Sequence, residues 1–472
     1  MIVNRSIPAL PNAWICLAAI AAVLIGLAAP VWAADAPPNI VYILADDLGY
    51  GDLSCYGQTK FATPNIDRLA RDGMKFTQHY SGSTVCAPTR SSLMTGQHTG
   101  HTPIRGNLEQ RPIGQAPLPA EAVTVAELLK RAGYATGAFG KWGLGPPGSE
   151  GDPIDQGFDE FFGYNCQRNA HNFYPKYLFR NREKIELNGK TYSHDLIAEQ
   201  ALEFIRRHKD GPFFCYLPVT IPHAAMQVPA AYHDPWRKKL PQFEGKIGRY
   251  SHGTKVINPV AAFAGMMTKL DEDVGRVLDL LAELGIDERT LVVFTSDNGP
   301  HHEGGHDPVF WDSNGPLTGH KRDLTEGGIR VPMLVRWPGK IAPGTASDHI
   351  SAHWDVLPTC CELAGIEPPA KIDGLSFLPT LLGKPTEQAS HAWLYWEFTE
   401  QGGKRAVRMG PWKAIQHGIA KRPGPIQLYH LDKDLAEQHN VAAKHSDIIA
   451  LAKQAFAAAH EPSARFPLPA ID

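Results

Sequence analysis

Residues 39–45, Asn-Ile-Val-Tyr-Ile-Leu-Ala, form an unbroken apolar and β-branched run that stops directly against Asp46 and Asp47. Such a run predicts a strand buried on both faces, which requires a layer of structure on each side of a sheet. Two carboxylates at the end of a buried strand are costly unless something positive meets them. The same design recurs three times. Residues 134–139 lead into Gly140 and Lys141, residues 213–219 into Thr220-Ile221-Pro222-His223, and residues 291–296 into Asp297 and Asn298. Amphipathic helices are expected between these runs. One follows Thr124 and is closed by Gly133, one begins at Ser193 as its cap, and a long one opens at Asn258-Pro259 and ends at Gly285. A short helix over 64–73, a strand over 331–337 and a helix over 354–365 continue the pattern. Alternating strand and helix predicts a doubly wound α/β fold with a mostly parallel central sheet flanked by helices. In such a sheet the polar strand ends gather on one edge, the edge where ligands bind.

The intervening segments are less regular. Residues 146–192 are rich in Gly, Asn, Phe and Tyr and read as a long loop over the active face, and the stretch from 222 to Asn258 also reads as loop. Beyond Asp373-Gly374, short strands near 391–398, 406–409, 412–416 and 427–431 and a closing helix around Ile448–Phe456 suggest a small α+β domain with an antiparallel sheet. The expected organisation is a signal peptide over 1–34, a catalytic domain over 35–375 and a C-terminal α+β domain over 376–472. The signal reading rests on Arg5, an apolar run over 14–29 and small residues at Ala33 and Ala34. It implies a secreted or periplasmic protein with no membrane span once the signal is cleaved. A net charge of −3 gives no basic footprint for nucleic acid. Setting aside Cys16 in the signal and Cys86, five of the 7 cysteines remain, an odd and widely spaced set that is not a disulfide framework.

Cys86-Ala87-Pro88-Thr89-Arg90 is the second constraint. Pro88 suits the first turn of a helix, which places Cys86 at a helix N-terminus, where the dipole favours a thiolate or an anion. Arg90 falls one turn on, on the same face. Asp46, Asp47, Asp297 and Asn298 offer only oxygen ligands, which suits a hard divalent cation. Calcium is favoured because it accepts many oxygens in an irregular shell, magnesium is the rival, and zinc is disfavoured.

The Cys86 stretch and the following Thr95-Gly96 resemble the signature of the type I sulfatases, with Thr89 where that family more often has serine or alanine. The likeness extends to Asp46/Asp47 and Asp297/Asn298 as metal pairs, to Gly140-Lys141-Trp142, to Pro222-His223, to Lys321 and to Asp373-Gly374. It implies an alkaline-phosphatase-like fold and a sulfuric ester hydrolase. Cys86 would be oxidised to formylglycine by a formylglycine-generating enzyme during maturation, and that residue would complete the metal shell. The resemblance further implies that Arg90, Lys141 and Lys321 offset charge on the sulfate oxygens. His223, as an imidazolium, would protonate the leaving alcohol. One position departs: Gly143 stands where the family usually has histidine. His171, or the cluster His301, His302 and His306, could take its place, with His171 and His302 also placed to touch substrate. The aromatic residues over 161–177 favour a sulfated oligo- or polysaccharide of galactose or N-acetylgalactosamine type over a simple aryl sulfate. Three rivals stand beside this reading. They are a phosphoester or phosphonate hydrolase of the same fold, a non-catalytic glycan-binding protein, and a cysteine hydrolase.

Overall fold

The computed structural model describes Met1 and residues 37–111 and 113–472; the expected signal peptide lies outside the described residues. The strand Asn39–Ala45 is the axis of an 11-stranded mixed sheet. It pairs in parallel with Thr290–Ser296 on one side and Phe213–Pro218 on the other. Phe213–Pro218 pairs in parallel with Ala135–Lys141, which pairs in parallel with Glu160–Tyr164. Five consecutive parallel strands therefore end on a single edge.

Alternation along these strands feeds two cores. Val41, Ile43, Val292, Phe294 and Leu217 pack with the helices Ser193–Arg207 and Pro259–Glu283. Tyr42, Leu44, Val293 and Tyr216 pack on the other face with Val125–Arg131 and Val356–Ala364. Both faces are covered, as the continuous apolar runs require. Thr124 caps its helix with a reciprocal box, its side chain accepting from Glu127 N and the Glu127 carboxylate accepting from Thr124 N. Asn258 caps the long helix by accepting from Ala261 N.

Several expectations are corrected. Residues 146–192 are not simply loop: Glu160–Tyr164 is the fifth parallel strand, and Tyr177–Arg180 and Glu183–Glu186 continue the sheet as an antiparallel hairpin. The stretch before Asn258 contains the helix Ala230–Lys239, which carries Pro235 inside it and has no fully buried residue to give it a periodic apolar stripe. The strand Arg330–Arg336 runs antiparallel to Thr290–Ser296. Ser193 is not a cap, because its hydroxyl donates to Phe173 O and accepts from Tyr164 Oη.

The C-terminal strands Leu394–Phe398, Lys404–Met409, Trp412–His417 and Gln427–His430 form an antiparallel sheet. Trp396, Phe398 and Ile415 on one face join Tyr80, Val85 and Trp354 in a shared core. Tyr395, Val407 and Leu428 on the other face pack under the closing helix Ser446–Ala459. This sheet lies within one compact unit over Pro38–Asp472. No helix among the described residues is long and apolar enough to cross a membrane.

Candidate active site

The strand Asn39–Ala45 ends level with Ser296, and the two chains turn together. Asp297 N donates to Ala45 O at 3.0 Å, and Asp47 N donates to Asp297 Oδ1 at 3.0 Å. Leu48 N donates to Ser296 Oγ at 2.9 Å. Asp47 adopts φ +63°, a left-handed conformation that an aspartate tolerates better than most residues. That turn lets Asp46 and Asp47, adjacent in sequence, both serve the same buried cluster.

Opposite them stands the helix Cys86–Thr95, in which every residue is buried. Cys86 is its first residue and Pro88 its third, inside the turn where a missing N–H is harmless. Ala87 N donates to Asn107 Oδ1 at 3.1 Å, and Thr89 ties back to Ser83 through two 3.0 Å hydrogen bonds. Cys86 Sγ lies 3.6 Å from Asp46 Oδ1 and 3.2 Å from Lys141 Nζ. Burial pushes its thiol up to about 12 despite the two nearby lysines. The unmodified side chain is therefore a protonated thiol, which weighs against the helix-start thiolate and the cysteine-hydrolase reading.

Each carboxylate faces a cation. Lys141 Nζ meets Asp46 at 2.5 Å, Lys321 Nζ meets Asp47 at 2.8 Å, and Arg90 meets Asp297 at 2.8 Å. Arg90 also donates to Lys141 O. Its two terminal nitrogens are engaged by Asp297 and the Lys141 carbonyl, an arrangement that braces the acidic cluster from behind. His223 Nδ1 lies 2.7 Å from Ala224 O, which assigns the proton there, and Nε2 then accepts from Lys321 Nζ at 3.0 Å. Burial, then Lys321 and Lys141, hold His223 well below the usual imidazole range. His223 Nε2 also lies 3.3 Å from Asp47 Oδ2.

Of the candidate replacements at Gly143, His171 reaches the site, its ring stacked on His223 with centroids 4.6 Å apart. His301 is buried and lies 5.8 Å from His223 by ring centroids. His302 is exposed against His320, and His306 is buried between Phe263 and His301, behind the rings of His171 and His223. The sequence reading missed Tyr250, whose ring stands edge-on to both His171 and His223. It also missed Glu303, which faces Lys321 at 3.6 Å and Arg322 at 2.9 Å. Both sit in segments without periodicity, so only the tertiary arrangement singles them out. A cavity of about 330 Å³ opens beside them, lined by His171, Asn172, Gln227, Tyr250 and His252. A larger cavity of about 840 Å³, lined by residues such as Gln78 and Arg408, contains none of the site residues.

The donor set fits a hard cation. Asp46 is pushed up to about 7, by burial first and then by the crowding Asp297 carboxylate, with Lys141 only partly offsetting them. Burial would also raise Asp47, but Lys321, His301 and Lys141 outweigh it and hold it at about 2. Asn298 Nδ2 donates to Asp47 Oδ1 at 2.7 Å, while its buried Oδ1 has no partner. A free amide oxygen beside crowded carboxylates is what an oxygen-liganded cation would satisfy. Ligand atoms of Asp46, Asp47, Cys86 and His223 also lie close enough together to share an ion.

The carboxyl edge of the five parallel strands thus gathers carboxylates, lysines and a helix-borne cysteine in one buried cluster. Residues 38–366 match the sulfatase family and residues 319–460 match the N-sulphoglucosamine sulphohydrolase C-terminal family, so the chain belongs to the sulfatases, hydrolases of sulfuric esters. It is 35% identical over 376 residues to the N-acetylgalactosamine-6-sulfatase of Rattus norvegicus, covering 73% of this chain and 66% of that protein. It is 33% identical over 463 residues to arylsulfatase A of Homo sapiens, covering 86% of this chain and 83% of that one. An N-acetylgalactosamine-6-O-sulfatase of Bacteroides thetaiotaomicron is 30% identical over 502 aligned positions, covering 87% and 91% of the two chains. Among solved structures, Ps i-CgsB in complex with k-i-k-neocarrahexaose superposes with a TM-score of 0.76 at 28% identity, covering 89% of this chain and 92% of that one.

Proposed function

We propose that the protein removes sulfate from a sulfated galactose or N-acetylgalactosamine unit of an oligo- or polysaccharide, with residue 86 in the formylglycine form. The observation that carries this reading is the convergence of Cys86, Asp46 and Lys141 within 3.6 Å at the sheet edge. The N-acetylgalactosamine-6-sulfatase relatives and the sugar-bound neighbour support the carbohydrate assignment. The small-residue end of the N-terminal apolar run supports export to the periplasm or the exterior.

Asp46, Asp47, Asp297 and Asn298 would hold a divalent cation, calcium before magnesium, and it would polarise a sulfate oxygen and offset the carboxylate charge. The formylglycine hydrate would supply two hydroxyls, one as nucleophile and one whose proton loss restores the aldehyde. Lys141 and Lys321 are the groups free to turn from carboxylate to sulfate oxygens once the carboxylates are otherwise neutralised, and their ammonium groups then offset the charge that develops in transfer. Arg90 keeps Asp297 and the Lys141 main chain in place. His223 Nε2 and Lys321 Nζ already share a hydrogen bond, so the proton for the leaving alcohol is delivered through this pair. Tyr250, His171 and Asn172 form the wall against which the sugar ring rests.

Peptide mass spectrometry of residue 86 in protein from its native host, combined with sulfate release from defined sulfated sugars, tests the proposal. Aldehyde with release from N-acetylgalactosamine 6-sulfate or a galactose sulfate is expected. Thiol at residue 86 in active enzyme removes the mechanism, and faster turnover of phosphate or phosphonate esters removes the substrate assignment.

A further inference from the structure

The fifth parallel strand, Glu160–Tyr164, ends on the same edge as the other four, with Tyr164 in register with Lys141. The pairing runs on past both strands: Trp142 N donates to Tyr164 O at 2.9 Å, and Gly143 N donates to Asn165 O at 3.2 Å. Six residues further along the chain, His171 stacks on His223. The segment between is thus pinned at one end beside Lys141 and at the other beside His223, two groups of the reaction centre.

Two carboxamides lie in that segment. Asn165 is 1% exposed and Gln167 5% exposed, and both the oxygen and the nitrogen of each side chain lack any hydrogen-bond partner. An unsatisfied buried polar group costs about 1 to 3 kcal/mol, so two unpaired amides two positions apart, between groups of the reaction centre, are donors and acceptors that a bound partner would satisfy. Gly143 shows where one of them lies. A Cβ at residue 143 would stand 2.1 Å from Gln167 Nε2, and residue 143 has φ +76°. The Gln167 carboxamide therefore occupies the side-chain volume of residue 143, two positions beyond the lysine whose Nζ is 3.2 Å from Cys86 Sγ.

We propose that Gln167 is a catalytic residue that hydrogen bonds to the oxygen carried by residue 86 in the mature enzyme, with Asn165 beside it as a positioning residue; this rests on the formylglycine reading. A carboxamide donates and accepts but takes up no proton near neutral pH. Gln167 therefore orients the hydroxyl groups of residue 86 and leaves proton removal to a group that titrates.

The test uses the full-length chain produced with formylglycine-generating activity. Gln167→Met keeps the shape of the side chain and removes its hydrogen bonds. Residue 86 is first quantified as aldehyde by peptide mass spectrometry. Turnover of N-acetylgalactosamine 6-sulfate is then measured together with the rate at which O-benzylhydroxylamine captures the aldehyde, a readout independent of turnover. With aldehyde content equal to wild type, kcat is expected to fall about tenfold or more, KM to change little, and capture to accelerate severalfold because the hydrate is no longer held. Wild-type kcat with a wild-type capture rate overturns the role of Gln167 and leaves the formylglycine reading standing. Thiol at residue 86 in active wild-type enzyme overturns both. If Gln167→Met fails to fold, Gln167→Glu decides: a new ionisation in the pH–kcat profile and an altered capture rate are expected, and an unchanged profile with unchanged capture overturns the proposal.

Discussion

The imidazole rings of His171 and His223 lie parallel to within 2°, with centroids 4.6 Å apart, although the residues come from different loops at the sheet edge. Burial, followed by Lys141 and Lys321, lowers both rings well below the usual imidazole range, so the stack is neutral. His171→Ala should remove about 1 kcal/mol of stacking and lower kcat/KM about tenfold, while His171→Phe should restore the melting temperature without restoring kcat/KM. Equal recovery of both in the Phe variant would reduce His171 to a packing residue.

With proton delivery shared by His223 and Lys321 as proposed, His223→Ala should slow substrates with poor leaving groups most, by about 10² or more. An activated aryl sulfate should lose far less. Comparing kcat for a sugar sulfate and 4-nitrophenyl sulfate checks this, and equal losses would remove the acid role.

On the proposed formylglycine mechanism, Cys86→Ser would lack the second hydroxyl that regenerates the resting enzyme. Steady-state turnover should fall to about 10⁻³ of wild type or below, and intact-protein mass spectrometry should find a sulfate adduct after exposure to substrate. Multiple turnover by this variant would sink the formylglycine mechanism.

Calcium added to metal-free protein should raise the melting temperature, by the equivalent of about 2.7 kcal/mol at a hundredfold excess over Kd. With Asp297 in the proposed ligand set, Asp297→Asn removes one ligand charge and frees Arg90, so the calcium-induced rise should shrink sharply and a chelator should no longer lower activity. A full calcium response in Asp297→Asn would place the cation elsewhere.

Away from the active site, His101 Nδ1 and Asp373 Oδ1 meet at 2.8 Å and join the turn after the cysteine helix to the 373–374 segment. Burial would lower His101, but the Asp373 hydrogen bond and charge outweigh it and raise it; burial would raise Asp373, but His101 and His98 hold it down. A raised histidine contributes its stability below its unfolded value of about 6.5 and loses it as pH rises through the folded value; a depressed aspartate contributes above about 3.9 and loses it as pH falls through the folded value. The stability difference between wild type and Asp373→Asn should therefore peak near pH 5, at about 2 kcal/mol, and shrink above pH 7. Urea melts across pH 4 to 8 check it, and a difference that grows towards pH 8 would contradict the charge assignment.

What could be read from the chain, and what could not, divides along a physical line. The runs at 39–45, 213–219 and 291–296 are fully buried strands, so burial itself wrote them into the sequence as apolar residues, and the polar residues that follow marked the functional edge. The strand Glu160–Tyr164 escaped notice because five residues of Glu-Phe-Phe-Gly-Tyr, set among glycines and asparagines, carry no period long enough to separate a strand from an aromatic loop. The helix Ala230–Lys239 escaped for a related reason, being polar and without a buried stripe.

The sequence by itself determined the layered α/β architecture, the acidic pairs, the cysteine at a helix start and the lysines and histidine that converge on it, because each is a local pattern of burial or a short motif. Only the tertiary structure decided the partners. It turned Arg90 to Asp297, stacked His171 on His223, set Tyr250 edge-on to both and filled the space at Gly143 with Gln167. Those relationships join residues far apart in the chain, and their geometry depends on where the sheet brings the strand ends and loops, which no local pattern encodes.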